Sequence, residues 1–408
     1  MHRVLLLLPT ATYRAADFTD AARALGVEVV VGSEQRQALA DSMGTRAVVV
    51  PLRDPDAAVD AIATLHAREP VAAVVAVDDQ GVLIAALASE RLGLPHNPPA
   101  AVAATRDKTA MRAAFATAGV TQPAFRVVGP ADDTGTAALE VGLPCVVKPI
   151  SLSASRGVIR ADDEDAARAA AARIHTILVA AEEDPMEPLL VEQYQPGVEV
   201  AVEGLLRAGT LEVLAIFDKP DPLEGPYFEE TLYVTPSRLP AATQAEIATL
   251  TGRAATALGL REGPVHAELR VDGDDVVMLE LAARSIGGLC ARALRFGAGV
   301  SLEELILRHA LGQPLADLTR ERAASGVMML PIPRSGVLRR VDGREQARAV
   351  DGIDGLEITV PLGRPVRTLP EGDRYLGFLF ARAESPEEVE HGLRTAHALL
   401  DVEITDEP

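Results

Sequence analysis

The chain has 408 residues, a formal net charge of −20, 48 % hydrophobic residues, 3 % aromatics and no Trp. That length suggests two to three domains with aliphatic cores, and the negative charge argues against a nucleic-acid or anionic-membrane surface. Cys145 and Cys290 stand in apolar contexts without C-x-x-C spacing, which argues against a structural zinc site or a disulfide framework.

The opening MHRVLLLLPTATY resembles a signal peptide only superficially. Its apolar run is too short, and Pro9-Thr10 leads into a helical segment, so it reads as the first buried strand of a cytoplasmic protein. Apolar runs at 4–8, 27–31, 47–50 and 71–77 alternate with Ala-rich stretches such as 16–25 and 55–68. This alternation predicts a parallel sheet covered on both faces. No G-x-G-x-x-G follows the first strand, and Asn97-Pro98-Pro99 marks the end of the unit. Residues 129–195 read as a smaller unit, with a helix at 134–141, a strand at 143–148, a Ser-rich turn, a helix at 163–181 and a strand at 188–193. The segments EVAVEGLL, LEVLAIF, PVHAELRV and DVVMLELA, from 198 onward, have the period-two character of a mainly antiparallel sheet. After Gly312 come short strands and turns, closed by a helix near 386–399 behind the cap-like Ser385-Pro386-Glu387-Glu388.

Only three of the 39 basic residues are lysines. A compact ammonium fits a tight phosphate pocket where a guanidinium fits badly, so Lys108 in TRDKTAMR, Lys148 ending LPCVVK and Lys219 in IFDKPDPLEGP form a nucleotide-site pattern. Lys148 precedes a loop containing Ser151, Ser153, Ser155 and Gly157, whose small residues and hydroxyls suit the outer phosphates of ATP. An ordinary hairpin is the competing reading for that loop alone, and no P-loop motif is present. Glu192, Tyr194 and Gln195 follow at a strand end, where backbone groups are available to an adenine edge, and Glu199 suits ribose hydroxyls; a merely solvated strand-end Glu is the competing reading. Glu268 and Glu280 interrupt two apolar runs joined by the turn Asp272-Gly273-Asp274-Asp275. A hairpin sets them side by side as hard oxygen ligands for Mg²⁺, with Mn²⁺ as the alternative ion, and a Glu pair on a solvated face is the competing reading. Arg284, ahead of Gly287 and Gly288, reaches phosphate or a substrate carboxylate. His266 shares the strand face of Glu268 and reads as a packed core histidine, with a catalytic role as the alternative.

In order and spacing these motifs resemble the ATP-grasp superfamily, in particular its L-amino-acid ligase and carnosine-synthase-like branch, with biotin carboxylase more distant. The resemblance implies an α/β (α+β) fold: an N-terminal parallel α/β domain (1–104), an ATP-grasp domain (105–312) with a lid subdomain near 129–195, and a C-terminal α+β domain (313–408). It implies that Lys108 and Lys148 bind ATP phosphates, that 151–158 is a mobile phosphate lid, and that Glu192 with the 193–195 backbone faces adenine. Glu199 would take the ribose, Glu268 and Glu280 the magnesium, and Arg284 the transferring phosphoryl group or a carboxylate, with Lys219 beside it as a catalytic candidate. Glu230 would meet a substrate amine, with Tyr233, Gly287 and Gly288 as further substrate contacts. Two departures stand out: Ala282 replaces the usual Asn two residues after the second metal Glu, and Tyr233 stands where related dipeptide ligases tend to have His. The expected activity is ATP-dependent ligation of a small-molecule carboxylate, an amino acid, to an amine. A homodimer is left open. Rival readings are a biotin-carboxylase-like subunit activating bicarbonate and an ATP-binding sensor without turnover.

Overall fold

A computed structural model describes residues 2–10, 12–36, 44–315 and 317–406. Strands β1 (Arg3–Leu7), β2 (Glu28–Ser33), β3 (Ala47–Val49) and β4 (Ala73–Ala76) form a parallel sheet in the order β3-β2-β1-β4. Helices Ala15–Ala24, Pro55–Arg68 and Asp79–Leu92 connect or follow these strands. Val4 to Leu7 are fully buried, as expected of a strand covered on both faces.

A second sheet, β5 (Phe125–Val128), β6 (Cys145–Pro149), β7 (Ile159–Ala161) and β8 (Leu189–Gln193), is antiparallel with the order β5-β8-β6-β7. Helices Thr134–Val141 and Glu164–Ala180 pack on it through an Ala-rich cluster. The longer helix starts where the Asp163 carboxylate accepts the Ala166 N–H, filling one of the donors a helix start leaves open.

The remaining strands are β9 (Val198–Arg207), β10 (Thr210–Lys219), β11 (Leu232–Thr235), β12 (Gly263–Asp272), β13 (Asp275–Ala282), β14 (Ala324–Leu330), β15 (Gly336–Asp342), β16 (Ile353–Ile358), β17 (Pro365–Val366), β18 (Gly377–Ala383) and β19 (Asp401–Thr405). Eight of them build one antiparallel sheet, β13-β12-β9-β10-β11-β14-β18-β16, and β17-β15-β19 form a small separate one. The large sheet runs unbroken past residue 312, because β11 pairs with β14 from Leu232↔Met328 to Thr235↔Ser325. Helix Ala241–Leu258 buries Ile247, Leu250, Ala254 and Leu258 in a cluster with Val200, Val202 and Leu269 of the sheet. The other face buries Ala201, Leu205, Phe217, Tyr233 and Val327 in a second cluster and also carries polar groups, among them Glu199, Glu203, Glu268 and Glu280.

Candidate functional site

One cleft of about 330 Å³ lies where the N-terminal sheet, the β5-β8-β6-β7 sheet, the large sheet and the segment 373–375 meet. All the candidate site residues named above line it except Ser151, Gly157 and Lys219.

At one end, Lys108 opens helix Lys108–Ala118 behind the Asp107 cap. Its Nζ donates to the Leu152 carbonyl at 2.7 Å and lies 3.8 Å from Glu280, so the ammonium joins the Ser-rich loop to β13. Lys148, on β6, sits 2.5 Å from one Glu192 oxygen, while Arg112 Nε donates to the other at 2.5 Å and its second arm reaches the Leu279 carbonyl at 2.6 Å. Burial alone would raise the Glu192 carboxyl, but Arg112 and Lys148 bring it down to about 2. Burial lowers the Lys148 ammonium, and Arg112 adds to the fall against the pull of Glu192. Glu192 therefore stands in the cleft wall as the counter-ion of two cations, and the 193–195 backbone follows it along the cleft. Tyr194 is covered by the Arg160 and Arg270 guanidiniums, 4.5 and 5.7 Å from its ring, and stacks on Phe228 at 6.4 Å.

The Ser-rich loop is held at both ends. The Ile150 and Ser151 N–H groups donate to Glu187 at 3.0 and 3.3 Å. Gly157, with φ +73°, donates its N–H to the Pro370 carbonyl at 3.0 Å. That conformation suits glycine, and it sets Gly157 behind the cleft as a tether to the C-terminal segment.

In the floor, side chains stand in cross-strand rows. Lys219, Glu199 and Arg270 are register partners across β10, β9 and β12; Ala201, Glu268 and Glu280 form the next row over β9, β12 and β13; Glu203, His266 and Ala282 form the third. Residues two apart share a face, so these rows put all the charged groups on one surface. A bulge at Leu279 follows, because Leu269 pairs with Met278 rather than Leu279, and it frees the Leu279 carbonyl for Arg112. Lys219 lies beneath this surface, 2.6 Å from Glu199, 3.4 Å from Glu268 and hydrogen-bonded to Glu230. Arg270 holds the other Glu199 oxygen at 2.9 Å. Burial would lower the Lys219 ammonium, yet Glu199, Glu230 and Glu268 hold it well above its usual range. Burial lifts the Glu230 carboxyl to about 7 against the pull of Lys219, and Glu268 and Glu199 add to the rise. Burial would also raise Glu268, but Lys219 and His266 hold it well below the carboxylate range. His266 lines the cleft instead of merely filling the core. Its Nδ1 is 2.5 Å from Glu203 and its Nε2 3.5 Å from Glu268; burial opposes its charge, but these carboxylates raise it to about 9.

At the other end, Arg284 is held 2.7 Å from Asp79, which keeps the guanidinium charged despite burial. Gly288 has φ +58°, and a Cβ there would stand 2.8 Å from the Phe378 ring. Tyr233 is 2 % exposed, with Lys219 Nζ 5.0 Å from its ring centre. Sequence reasoning missed Asp79, Arg112, Glu203 and Arg270. Asp78-Asp79, an acidic pair directly after the apolar run 71–77, was a readable signal; the other three gain their meaning from partners on distant segments.

A family model for the ATP-grasp domain matches residues 141–293, one for the ATP-grasp N-terminal domain matches 19–96, and one for the L-amino acid ligase C-terminal domain 2 matches 328–405. The chain belongs to the ATP-grasp superfamily of ligases. It is 30 % identical over 239 residues to alanine–anticapsin ligase of Bacillus subtilis, covering 54 % of this chain and 50 % of that protein. It is also 30 % identical over 277 residues to carnosine synthase 1 of Gallus gallus, covering 64 % and 30 % respectively. The match thus spans half or less of these two relatives. The crystal structure of L-amino acid ligase from Bacillus licheniformis superposes with a TM-score of 0.81 at 23 % identity, covering 100 % of this chain and 99 % of that one, which speaks for the fold.

Solved structures of similar fold include complexes with ATP and with MgADP, and the donor set of this chain fits such a metal. Glu268 and Glu280 are directly opposed on neighbouring strands, two hard oxygen donors of the kind Mg²⁺ combines with phosphate oxygens and water. Glu199, Glu230 and Glu268 also converge, with ligand atoms within 4.8 Å, but their charge is met by Lys219. Ala282, opposite His266, adds no oxygen. No helix among the described residues is long and apolar enough to cross a membrane.

Proposed function

We propose that this chain is an ATP-dependent carboxylate–amine ligase that joins an amino acid to an amine through an acyl phosphate. The observation that carries the reading is the convergence in one cleft of the Lys108–Lys148 end, the opposed Glu268–Glu280 pair and the Asp79-anchored Arg284. The match of 328–405 to the L-amino acid ligase C-terminal domain favours amide formation over bicarbonate activation. As working units we take 1–104, 105–312 with its lid at 129–195, and 313–408, in a cytoplasmic enzyme supplied with ATP.

A carboxylate oxygen of the acid attacks the γ-phosphorus, the bond to the bridging oxygen breaks, and ADP leaves. The amine then attacks the acyl carbon and expels phosphate. Mg²⁺, or Mn²⁺, held by Glu268 and Glu280 would neutralise phosphate charge. Lys108 and Lys148 bind the phosphates, with the lysine charge of Lys148 tuned by Glu192; the 193–195 backbone takes adenine and Glu199 the ribose. Arg284 faces the oxygens on which charge builds, fixed before the reaction begins. Glu230, with a carboxyl near 7, accepts the proton that the amine must lose. Tyr233, Gly287 and Gly288 wall the substrate end. The test is ADP release across a panel of acids and amines with mass spectrometry of the products and hydroxylamine trapping of the acyl phosphate. Amine-dependent amide and acid-dependent hydroxamate are expected; ADP release without either product would overturn the reading.

A further inference from the structure

Arg14 takes no part in the cleft lining, yet it hydrogen-bonds the Val77 carbonyl, two residues before Asp79, and the Ser285 hydroxyl, directly after Arg284. It sits between β1 and helix Ala15–Ala24 and is 1 % exposed. One arm donates to the Val77 carbonyl at 3.2 Å; the other donates to the Ser285 hydroxyl at 2.9 Å and to Glu303 at 3.1 Å. Val77 closes the apolar run that delivers Asp79, and Ser285 directly follows Arg284. From the opposite side, Glu203 accepts the Ile286 N–H at 3.0 Å, so the segment 284–286 is pinned from two directions.

Resting on the role given above to Arg284, we infer that Arg14 is a positioning residue that sets where the Asp79–Arg284 pair stands in the cleft. The planar fork is what the task needs: its donors diverge to a carbonyl, a hydroxyl and a carboxylate at once, which an ammonium on a flexible stem does not reproduce. Glu303 balances the buried charge and fixes the fork's direction. The Phe18 ring, 5.0 Å from the guanidinium carbon, closes its remaining side. Arg14 thereby converts the docking of the N-terminal sheet on the large sheet into the placement of one side chain. Displacing a preorganised group by about 1 Å costs on the order of a hundredfold in rate.

The experiment compares Arg14→Gln, Arg14→Lys, Ser285→Ala, Asp79→Asn and the Ser285→Ala/Asp79→Asn pair by ADP release, ATP KM and thermal midpoint, with Arg284→Lys alongside. Arg14→Gln and Ser285→Ala should lower kcat by about tenfold or more while ATP KM moves less than about threefold. Arg14→Lys should recover the thermal midpoint better than the rate. The double variant should lose no more than its worse single parent, since both act through the same group. Ser285→Ala removes one hydrogen bond and keeps Glu303 paired, so it remains informative if Arg14→Gln fails to fold. Wild-type kcat in folded Ser285→Ala, or losses that multiply in the double variant, would overturn the inference while leaving the ligase reading intact. Full ADP release by Arg284→Lys would instead overturn the role of Arg284, and the inference with it.

Discussion

Glu192→Gln removes one negative charge from between two buried cations. The carboxyl of Glu192 falls from its ordinary 4.5 to about 2, and at about 1.4 kcal/mol per tenfold in proton affinity that is about 3 kcal/mol favouring the charged form in the fold. Glu192 is only 2 % exposed, so solvent screening takes little of this away. The variant keeps Arg112 and Lys148 with their charges uncompensated, and breaking a buried pair costs roughly 3–5 kcal/mol. The sign of the pH effect follows from the depressed value. The Glu192 contribution is fully present above pH 4.5 and is lost as pH falls toward and through about 2. Urea unfolding from pH 7 to pH 3 should therefore show a variant about 3 kcal/mol less stable at pH 7, with the gap narrowing below pH 4.5. Saturating Mg-ATP should stabilise the variant more than the parent, because its phosphates return negative charge to Lys148. Equal midpoints at pH 7 with parallel pH curves would refute the counter-ion reasoning.

Lys148→Arg should abolish ADP formation in a folded protein, since the wider planar group displaces the phosphates and Glu192 alike; near-normal turnover in the presence of an intact far-UV spectrum would remove Lys148 from the site. Glu280→Gln should cost roughly 2–4 kcal/mol of transition-state stabilisation, and Ala282→Asn should lower the Mg²⁺ concentration needed for half-maximal rate, both read by Mg²⁺ titration of ADP release. The raised value of His266, about 9, makes its contribution to stability full below pH 6.5 and lost as pH rises through about 9. Thermal midpoints from pH 6 to 10 should accordingly fall less steeply on the alkaline side in Glu203→Gln than in the parent.

What the sequence made legible was local. The alternation of apolar runs and Ala-rich helices gives the parallel sheet, and the Asp-Gly turn after Asp272 brings Glu268 opposite Glu280, with neither inference needing a distant residue. The charge network was hidden because its partners are far apart along the chain: Arg112 meets Glu192 across 80 residues and Arg14 meets Ser285 across 271. Glu192 read as a strand-end acid beside adenine because nothing in its neighbourhood announces two cations arriving from other segments. The cleft also draws Tyr13, Asp373 and Arg374 from opposite ends of the sequence, an assembly that depends on how the sheets dock. The sheet that continues from β11 into β14 was hidden for the same reason, since composition changes near Gly312 while hydrogen bonding does not.

The lysine distribution carries a consequence for the enzyme's own chemistry. Lys108 and Lys148 line the cleft, Lys219 lies directly beneath it, and none has more than 11 % of its side chain exposed. On the proposed mechanism the intermediate is an acyl phosphate, an acylating agent, and any that escaped before the amine arrived would meet an outer surface whose side-chain cations are arginines. Guanidiniums stay protonated at any physiological pH and are poor nucleophiles. On that mechanism the chain presents its intermediate with no lysine amine to modify away from the cleft, and the same scarcity makes labelling of lysine side chains a report on that cleft.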